Sequence, residues 1–390
     1  MARIAVVLPR LSRYGGVEQF AFRLAQALAD TRDCQHEVEF VCARIESPPP
    51  VGVRAVVVGR IGGFAWLKML WFLIGAERAR RRGGYDLVIS LGKTWNQDLL
   101  RVGGGSQRTF WKLSERAWPA GLPRWGKRIR RLLSPVNWLT RIVDNRQYRS
   151  GCRIICASEA VADWVRQDYP GIPMPEVIYN LPDLRRFRPP LGEERERCRR
   201  ALLAAGSEGG FTPDSGREGA AEADDFVCIG TATSNFALKG TNVLVRALAR
   251  LPERFRLYVA GGRSARACQR LAARLGVENR VVFLGRVDEV RTFYQGLDLF
   301  ALPSFYDACS NAVLEAAACG LPTLSSASNG SSVFLPPDCV LSDPGDDEVL
   351  ASRLLALSGK PAPPFRLPQG LPAGLDAWVA AVNAMVDARA

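Results

Sequence analysis

Histidine is almost missing from this chain: of 390 residues only His36 is one. An imidazole-based triad or general base, or a Cys/His zinc site, is therefore not expected. His36 itself opens the apolar stretch HEVEFVCAR and reads as a strand-end surface residue. The ten cysteines are scattered with no C-x-x-C pair, which fits a reduced compartment better than a disulfide framework. Long apolar runs are missing too. The strongest, Phe64 to Ala76, is 13 residues and carries Lys68, whereas a membrane span needs about 20. The start, MARIAVVLPR, has neither the length nor the small-residue cleavage site of a signal peptide. A cytoplasmic protein is the expectation.

What is present is an ordinary globular composition, 47% hydrophobic and 23% charged, on a length that suggests two domains. Charge is divided unevenly. Residues 1–150 hold 26 Lys and Arg against 11 Asp and Glu, while 151–390 hold 26 against 28. The whole net charge of +13 thus comes from the first part, as expected if that part faces something anionic.

Strand-like apolar runs alternate with helical periods, twice over. Expected strands in the first half are Arg3–Pro9, Glu37–Cys42, Ala55–Val58, Asp86–Leu91, Arg153–Ala157 and Val177–Tyr179, with helices at Gly16–Ala29, Phe64–Arg81 and Glu159–Gln167. The second half repeats the pattern, with strands at Phe226–Gly230, Leu257–Ala260, Val281–Leu284, Leu299–Leu302 and Thr323–Ser325. Continuous apolar strands between helices imply parallel sheets covered on both faces. The expectation is an α/β protein of two doubly wound domains facing a cleft, 1–182 and 183–365, with ligands at the strand C-termini. The Gly-, Ser- and acid-rich stretch 207–224 reads as a mobile insertion. A last helix within 372–390, apolar at Leu375, Trp378, Val379 and Val382, is assigned to the first domain.

Three segments carry chemistry. In LDLFALPSFYDACSNAVLEAAACGLPTLSS (Leu297–Ser326), a buried strand leads through a polar loop into a helix near Asn311. Asp307 sits in the loop and Glu315 eight residues on; the amides of Ala308, Cys309, Ser310 and Asn311 mark a helix start, a place for phosphate or sugar oxygens. Taken alone, Ser310 or Asn311 could equally be an N-cap and Glu315 an exposed helical residue. In SNFALKGTNVLVRAL (Ser234–Leu248), Lys239-Gly240 lies between a strand end and an amphipathic helix, where an ammonium adds to the amide field. In LPRLSRYGGVEQF (Leu8–Phe20), Gly15-Gly16 allows close backbone approach before a helix, though it is not G-x-G-x-x-G.

Together these segments resemble glycosyltransferase family 4, a retaining family of the two-domain GT-B fold. Its donor signature, P-S-x-x-E-x7-E-A-x-A-x-G-x-P, is matched by Pro303-Ser304, Asp307 for the first Glu, Glu315-Ala316, Ala318, Gly320 and Pro322. The resemblance implies that Asp307 contacts the donor sugar, Glu315 the ribose, and Lys239 the diphosphate. The Gly15-Gly16 loop would cover the donor, and Val287 would precede the base-binding loop. Where the family has a second cation the chain has Ser234, with Arg263 in the loop 260–263 as the alternative. Leu91–Arg108 resembles the acceptor region of lipopolysaccharide-assembly members, with Gly105 and Gln107 on the acceptor side and Gln107 where a His is often found.

None of the twenty aspartates is spaced i, i+2, so the D-x-D of metal-dependent sugar transferases is absent and no metal or other cofactor is expected. Arg108 to Arg149 carries 11 Lys and Arg against two acids, interleaved with tryptophans, a composition suited to an anionic headgroup layer. No recognised nucleic-acid module accompanies the charge. The expected partners are thus a nucleotide-diphosphate-sugar donor, a lipid-linked or phosphorylated glycan acceptor, and the inner face of a plasma membrane. A sugar-phosphate synthase with the same donor site, and a non-catalytic basic RNA- or membrane-binding scaffold, are the rival classes.

Overall fold

Glycine at position 230 illustrates how closely the sheets are packed: a Cβ there would lie 2.1 Å from Leu297 Cδ1. The structure, a computed structural model, describes residues 1–13, 15–30, 36–118, 121–208, 226–262, 265–367 and 370–389. The chain divides into two units, one of residues 1–112, 120–180 and 370–390, the other of 113–119 and 181–369.

The first unit runs β1 (Arg3–Val7), β2 (Arg10–Leu11), α1 (Gly16–Asp30), β3 (Glu37–Cys42), β4 (Arg44–Ile45), β5 (Arg54–Val57), α2 (Ala65–Gly83), β6 (Leu87–Ser90) and β7 (Leu99–Val102). Then come α3 (Gln107–Glu115), α4 (Leu122–Leu132), α5 (Pro135–Tyr148), β8 (Arg153–Cys156), α6 (Glu159–Asp168) and β9 (Glu176–Val177). Its main sheet is ordered β5-β3-β1-β6-β7-β8-β9 and is parallel throughout. α1 buries Ala21, Leu24, Ala25 and Leu28, one face at helical spacing. α6 begins where Ser158 Oγ accepts from Val161 N at 3.3 Å.

The second unit holds α7 (Glu194–Glu208), β10 (Val227–Ala232), α8 (Thr241–Ala249), β11 (Phe255–Ala260), α9 (Arg266–Arg274), β12 (Val281–Gly285) and α10 (Val290–Gln295). β13 (Leu299–Leu302), α11 (Asn311–Ala318), β14 (Thr323–Ser326), β15 (Val340–Leu341) and α12 (Asp347–Leu357) complete it. All pairs in its sheet, β12-β11-β10-β13-β14-β15, are parallel. Chain order reverses between β10 and β13, the place where doubly wound sheets bind ligands.

The last helix, α13 (Gly374–Asp387), packs in the first unit. Trp378 and Val382 are buried in the core that also contains Leu24 and Leu28, and Trp378 meets Phe20 edge-on at 5.1 Å. Burying a large apolar side chain stabilises by about 1.5–3 kcal/mol, so this helix is integral to the core it completes.

The expected α/β doubly wound character is what the structure has. The insertion expected over 207–224 lies, apart from Ser207 and Glu208 at the end of α7, outside the described residues. Two expectations need correction. His36 is not at the surface: its Nδ1 accepts from Ala2 N at 3.3 Å and its Nε2 lies 3.0 Å from Asn383 Oδ1 on α13. Residues 99–148, read mainly for their charge, contain a fully buried strand, β7, and three helices. Their Arg-rich sequence hides helical periodicity because α4 buries no residue at all.

Candidate active site

Two loops meet at the reversal point of the second sheet. One follows β10 and ends at Lys239-Gly240; the other follows β13 and runs from Pro303 to Ser310. Gly240 is the hinge of the contact. Its φ is +74°, and a Cβ would fall 2.1 Å from the Pro303 carbonyl oxygen, so any side chain would force the loops apart. Phe305 N donates to Leu238 O at 2.9 Å across the same seam. Lys239 thereby reaches the second loop: its Nζ donates to Tyr306 O at 3.0 Å and forms an ion pair with Asp307. Both side chains are mostly buried. The cation expected at the diphosphate and the acid expected at the sugar are therefore direct neighbours. An ammonium has three donors, and two are engaged among the described residues.

The loop is fixed from behind. Asp307 N donates to Ser328 O and Gly330 N to Asp307 O, both at 3.0 Å. Asn329, buried, accepts from Ser310 N at 3.3 Å and Ser331 N at 3.1 Å, and donates to Ser325 Oγ at 2.8 Å. The Ser310 amide is thus already used, a correction to the expectation of a row of open amides from Ala308 to Asn311. Ala308, Cys309 and Ser310 are buried, and Asn311, the first residue of α11, is exposed.

Glu315 lies in the second turn of α11, where Tyr294 of α10, fully buried, donates its hydroxyl to Glu315 Oε2 at 3.0 Å. Burial pushes the Glu315 carboxyl above its usual range, opposed by the Tyr294 hydrogen bond and by the charge of Arg186. Arg186 in turn pairs with Glu289 at 3.2 Å. Val287 packs against the same core as Tyr294, between Arg286 and Asp288, which pair with each other at 2.8 Å. Arg263 lies outside the described residues. Tyr294 and Asn329 were not anticipated. Asn329 sits in the turn-like run SASNGSS, but nothing marks Tyr294, 21 residues ahead of its partner.

In the first unit, Gly15 has φ +109° and immediately precedes α1, beginning with Gly16. A Cβ on Gly15 would meet Glu18 Oε2 at 2.3 Å, and Glu18 is held by Arg10 at 2.6 Å. Gly105 and Gln107 line a cavity of about 410 Å³ beyond the C-terminal ends of β6 and β7. Among the described residues no group of three or more His, Cys, Asp or Glu is placed to hold a metal ion, and no helix is long and apolar enough to cross a membrane.

Fold and site together define a doubly wound α/β protein of two parallel-sheet units, with a Lys–Asp pair and a buried glutamate at the reversal point of the second. The family model "Glycosyltransferase Family 4" matches residues 14–186, and "Glycosyl transferases group 1" matches 223–359. The chain belongs to the GT-B glycosyltransferases related to family 4. Among its relatives, the lipopolysaccharide core biosynthesis glycosyltransferase LpsE of Rhizobium meliloti is 34% identical over 118 residues, 30% of this chain and 35% of that protein. This chain therefore spans about a third of that relative. A D-inositol 3-phosphate glycosyltransferase of Salinispora arenicola is 28% identical over 88% of this chain and 80% of its own. The crystal structure of WaaG, a glycosyltransferase involved in lipopolysaccharide biosynthesis, superposes with a TM-score of 0.73 at 19% identity, over 91% of this chain and 90% of that one. That likeness shows the fold.

Proposed function

We propose that the chain transfers a glycosyl group from a nucleotide-diphosphate sugar to a hydroxyl of a lipid-linked or phosphorylated glycan in cell-envelope assembly, with retention at the anomeric carbon and without a metal. The observation that carries this reading is the Lys239–Asp307 pair, held by Gly240 at the reversal point, with Glu315 one helical turn into α11. Lys239 has a donor left for the diphosphate and supplies the positive charge a departing diphosphate requires. Asp307 accepts from donor-sugar hydroxyls, and Glu315, kept near its partner by Tyr294, accepts from the ribose. Gly15 and Gly16 cover the donor. Arg263 and the backbone of Ala308, Cys309 and Asn311 are the further donor contacts in this reading.

The first unit adds a surface for membrane attachment. On α4, at Leu133 just after it and on α5, the residues Leu122, Trp125, Leu133, Trp138 and Ile142 are all more than half exposed. Arg124, Lys127, Arg128, Arg130 and Arg131 all lie on α4, with Leu122 and Trp125. Exposed Trp and Leu among basic residues suit the interface of an anionic leaflet, each basic residue adding about 1 kcal/mol. A peripheral position on the cytoplasmic face of the plasma membrane follows, bringing the enzyme to a lipid-linked acceptor. Nucleic acid is not among its partners.

Thermal unfolding with UDP-, GDP- and ADP-sugars tests the donor reading, because a ligand bound only by the folded state stabilises it by the logarithm of one plus the ratio of ligand concentration to Kd. No shift with any nucleotide sugar at millimolar concentration would sink it.

A further inference from the structure

The first unit has its own order reversal, between β1 and β6, and two cavities lie at that end of its sheet. One, about 640 Å³, is lined by Leu8, Arg44, Arg60, Lys68 and Lys93 among others. The second, about 410 Å³, is lined by Gln107, Asp144 and again Lys93. Val17 and Lys93 are common to both, so the two spaces adjoin.

Their chemistry differs. The only acid lining the first is Glu18, which Arg10 holds, and no carboxylate among the described residues pairs with Arg60 or Lys68. That space presents positive charge to whatever fills it. The second presents acceptor oxygens. Asp144 is fully buried; one carboxylate oxygen pairs with Lys93, and Oδ2 has no partner. Gln107 Oε1 is also buried and unpartnered. Its orientation follows from its neighbours. Asn137 Nδ2 donates to Arg131 O at 2.9 Å, so Asn137 Oδ1 faces Gln107 and takes its Nε2 at 3.0 Å. Oε1 is left without a donor, on a residue that lines the cavity. A buried acceptor without a donor has lost its water and gained nothing in return, a cost that a ligand hydroxyl would relieve.

We propose that these adjoining cavities bind one phosphorylated saccharide, its phosphoryl group at Arg60 and Lys68 and its ring hydroxyls at Gln107 Oε1 and Asp144 Oδ2, with Lys93 between the two ends. This rests on the acceptor side of the function proposed above and names the acceptor's polarity: the phosphate points away from Gln107. A ligand reversed in the site would set phosphate against Asp144 and leave Arg60 and Lys68 without a counter-charge.

Saturation-transfer difference spectroscopy on the full chain, with mannose 6-phosphate, mannose and inorganic phosphate as probes, tests it. Mannose 6-phosphate is expected to bind at least tenfold more tightly than either fragment. In the Arg60→Ser/Lys68→Ser variant that advantage over mannose should fall to within about twofold. Gln107→Leu should remove the mannose signal while inorganic phosphate still binds; Asp144→Asn, which risks the fold, is the second variant, read only after its melting curve. Equal affinity of mannose 6-phosphate and inorganic phosphate, equal affinity of mannose 6-phosphate and mannose, or no binding of any probe would each overturn the proposal. Thermal shifts with nucleotide sugars, measured on the same preparations, report on the donor site alone and keep the two failures apart.

Discussion

The two units share a parallel sheet with a reversal point, yet they use charge in opposite ways. In the second unit a single ammonium, Lys239, is mostly buried, bonded to a carbonyl and a carboxylate, and locked by a glycine that no other residue can replace. In the first unit positive charge is plentiful and mostly exposed, as on α4, which buries nothing. A fixed, desolvated charge acts on one place at full strength, whereas exposed charges are screened beyond about 8 Å in physiological salt. The second unit therefore suits chemistry on a small anion, and the first suits attraction to a large charged surface.

Removing the fixed charge should have the largest effect. Lys239→Ala is expected to cost about 2–4 kcal/mol of transition-state stabilisation, roughly 30- to 1000-fold in kcat/KM. Steady-state rates in excess EDTA are the measurement. A strict requirement for Mn²⁺ or Mg²⁺ would break the comparison, since a metal would then do what Lys239 is assigned.

Glu315 comes next. Hydrogen bonds to a charged group contribute about 1.5–3 kcal/mol, so Glu315→Ala should weaken nucleotide-sugar binding by about 10- to 150-fold. Asp307→Ala should behave differently: it frees Lys239 from its carboxylate, so nucleotide affinity is kept or raised while discrimination between donor sugars is lost. Calorimetry with donor and with nucleoside diphosphate alone separates the two. Full donor affinity in Glu315→Ala would end the ribose assignment.

The difference between the units also decided what could be read from sequence. The candidate site of the second unit was legible because strand, loop and helix follow one another without interruption from Leu299 to Ala318, and the acids fall within them. Lys239 was legible for the same reason, but its pairing with Asp307 was not, since 68 residues separate them and only the sheet brings them together. Tyr294 acts across elements and leaves no local pattern, and Asn329 is marked only by the turn-like run around it. The first unit was harder. β7 is a four-residue strand, LLRV, with an arginine inside it, and Arg101 is buried there over the Phe20 ring at 4.0 Å. α3 to α5 were obscured by their charge, because their apolar residues face outward as often as inward. His36 was misplaced for a similar reason: what buries it is Asn383, contributed by the last helix.

The exposed charge of the first unit should respond weakly at any one position and strongly to salt. Arg128→Ser on α4 is expected to lower affinity for anionic vesicles by about 1 kcal/mol, roughly fivefold, and to leave neutral vesicles unaffected. Co-sedimentation at low and high salt measures it. A wild-type chain that stays in the supernatant with anionic vesicles at low salt would remove the membrane assignment and leave the donor site untouched.

The finest test of the comparison is Tyr294→Phe, which removes one oxygen from the buried side of the proposed donor site. That hydroxyl donates to Glu315 and so favours the carboxylate over the carboxylic acid. Burial already raises the Glu315 pKa above its ordinary 4.5, so the folded state holds this proton more tightly than the unfolded chain does. Such a group adds no destabilisation below the ordinary value and an increasing one as pH rises past it. Without the hydroxyl the folded-state pKa rises further. The stability deficit of Tyr294→Phe relative to wild type should therefore be smallest in acid and grow with rising pH above 4.5. A single net hydrogen bond sets its size, about 0.5–1.5 kcal/mol at neutral pH. Glu315→Gln, which carries no charge to be stabilised, should show no such pH dependence when the tyrosine is changed in its background. Denaturant titrations of the four chains across this range give the cycle. A deficit that is flat with pH, or equal in both backgrounds, would mean that Tyr294 only fills space and that Glu315 is positioned by the helix alone.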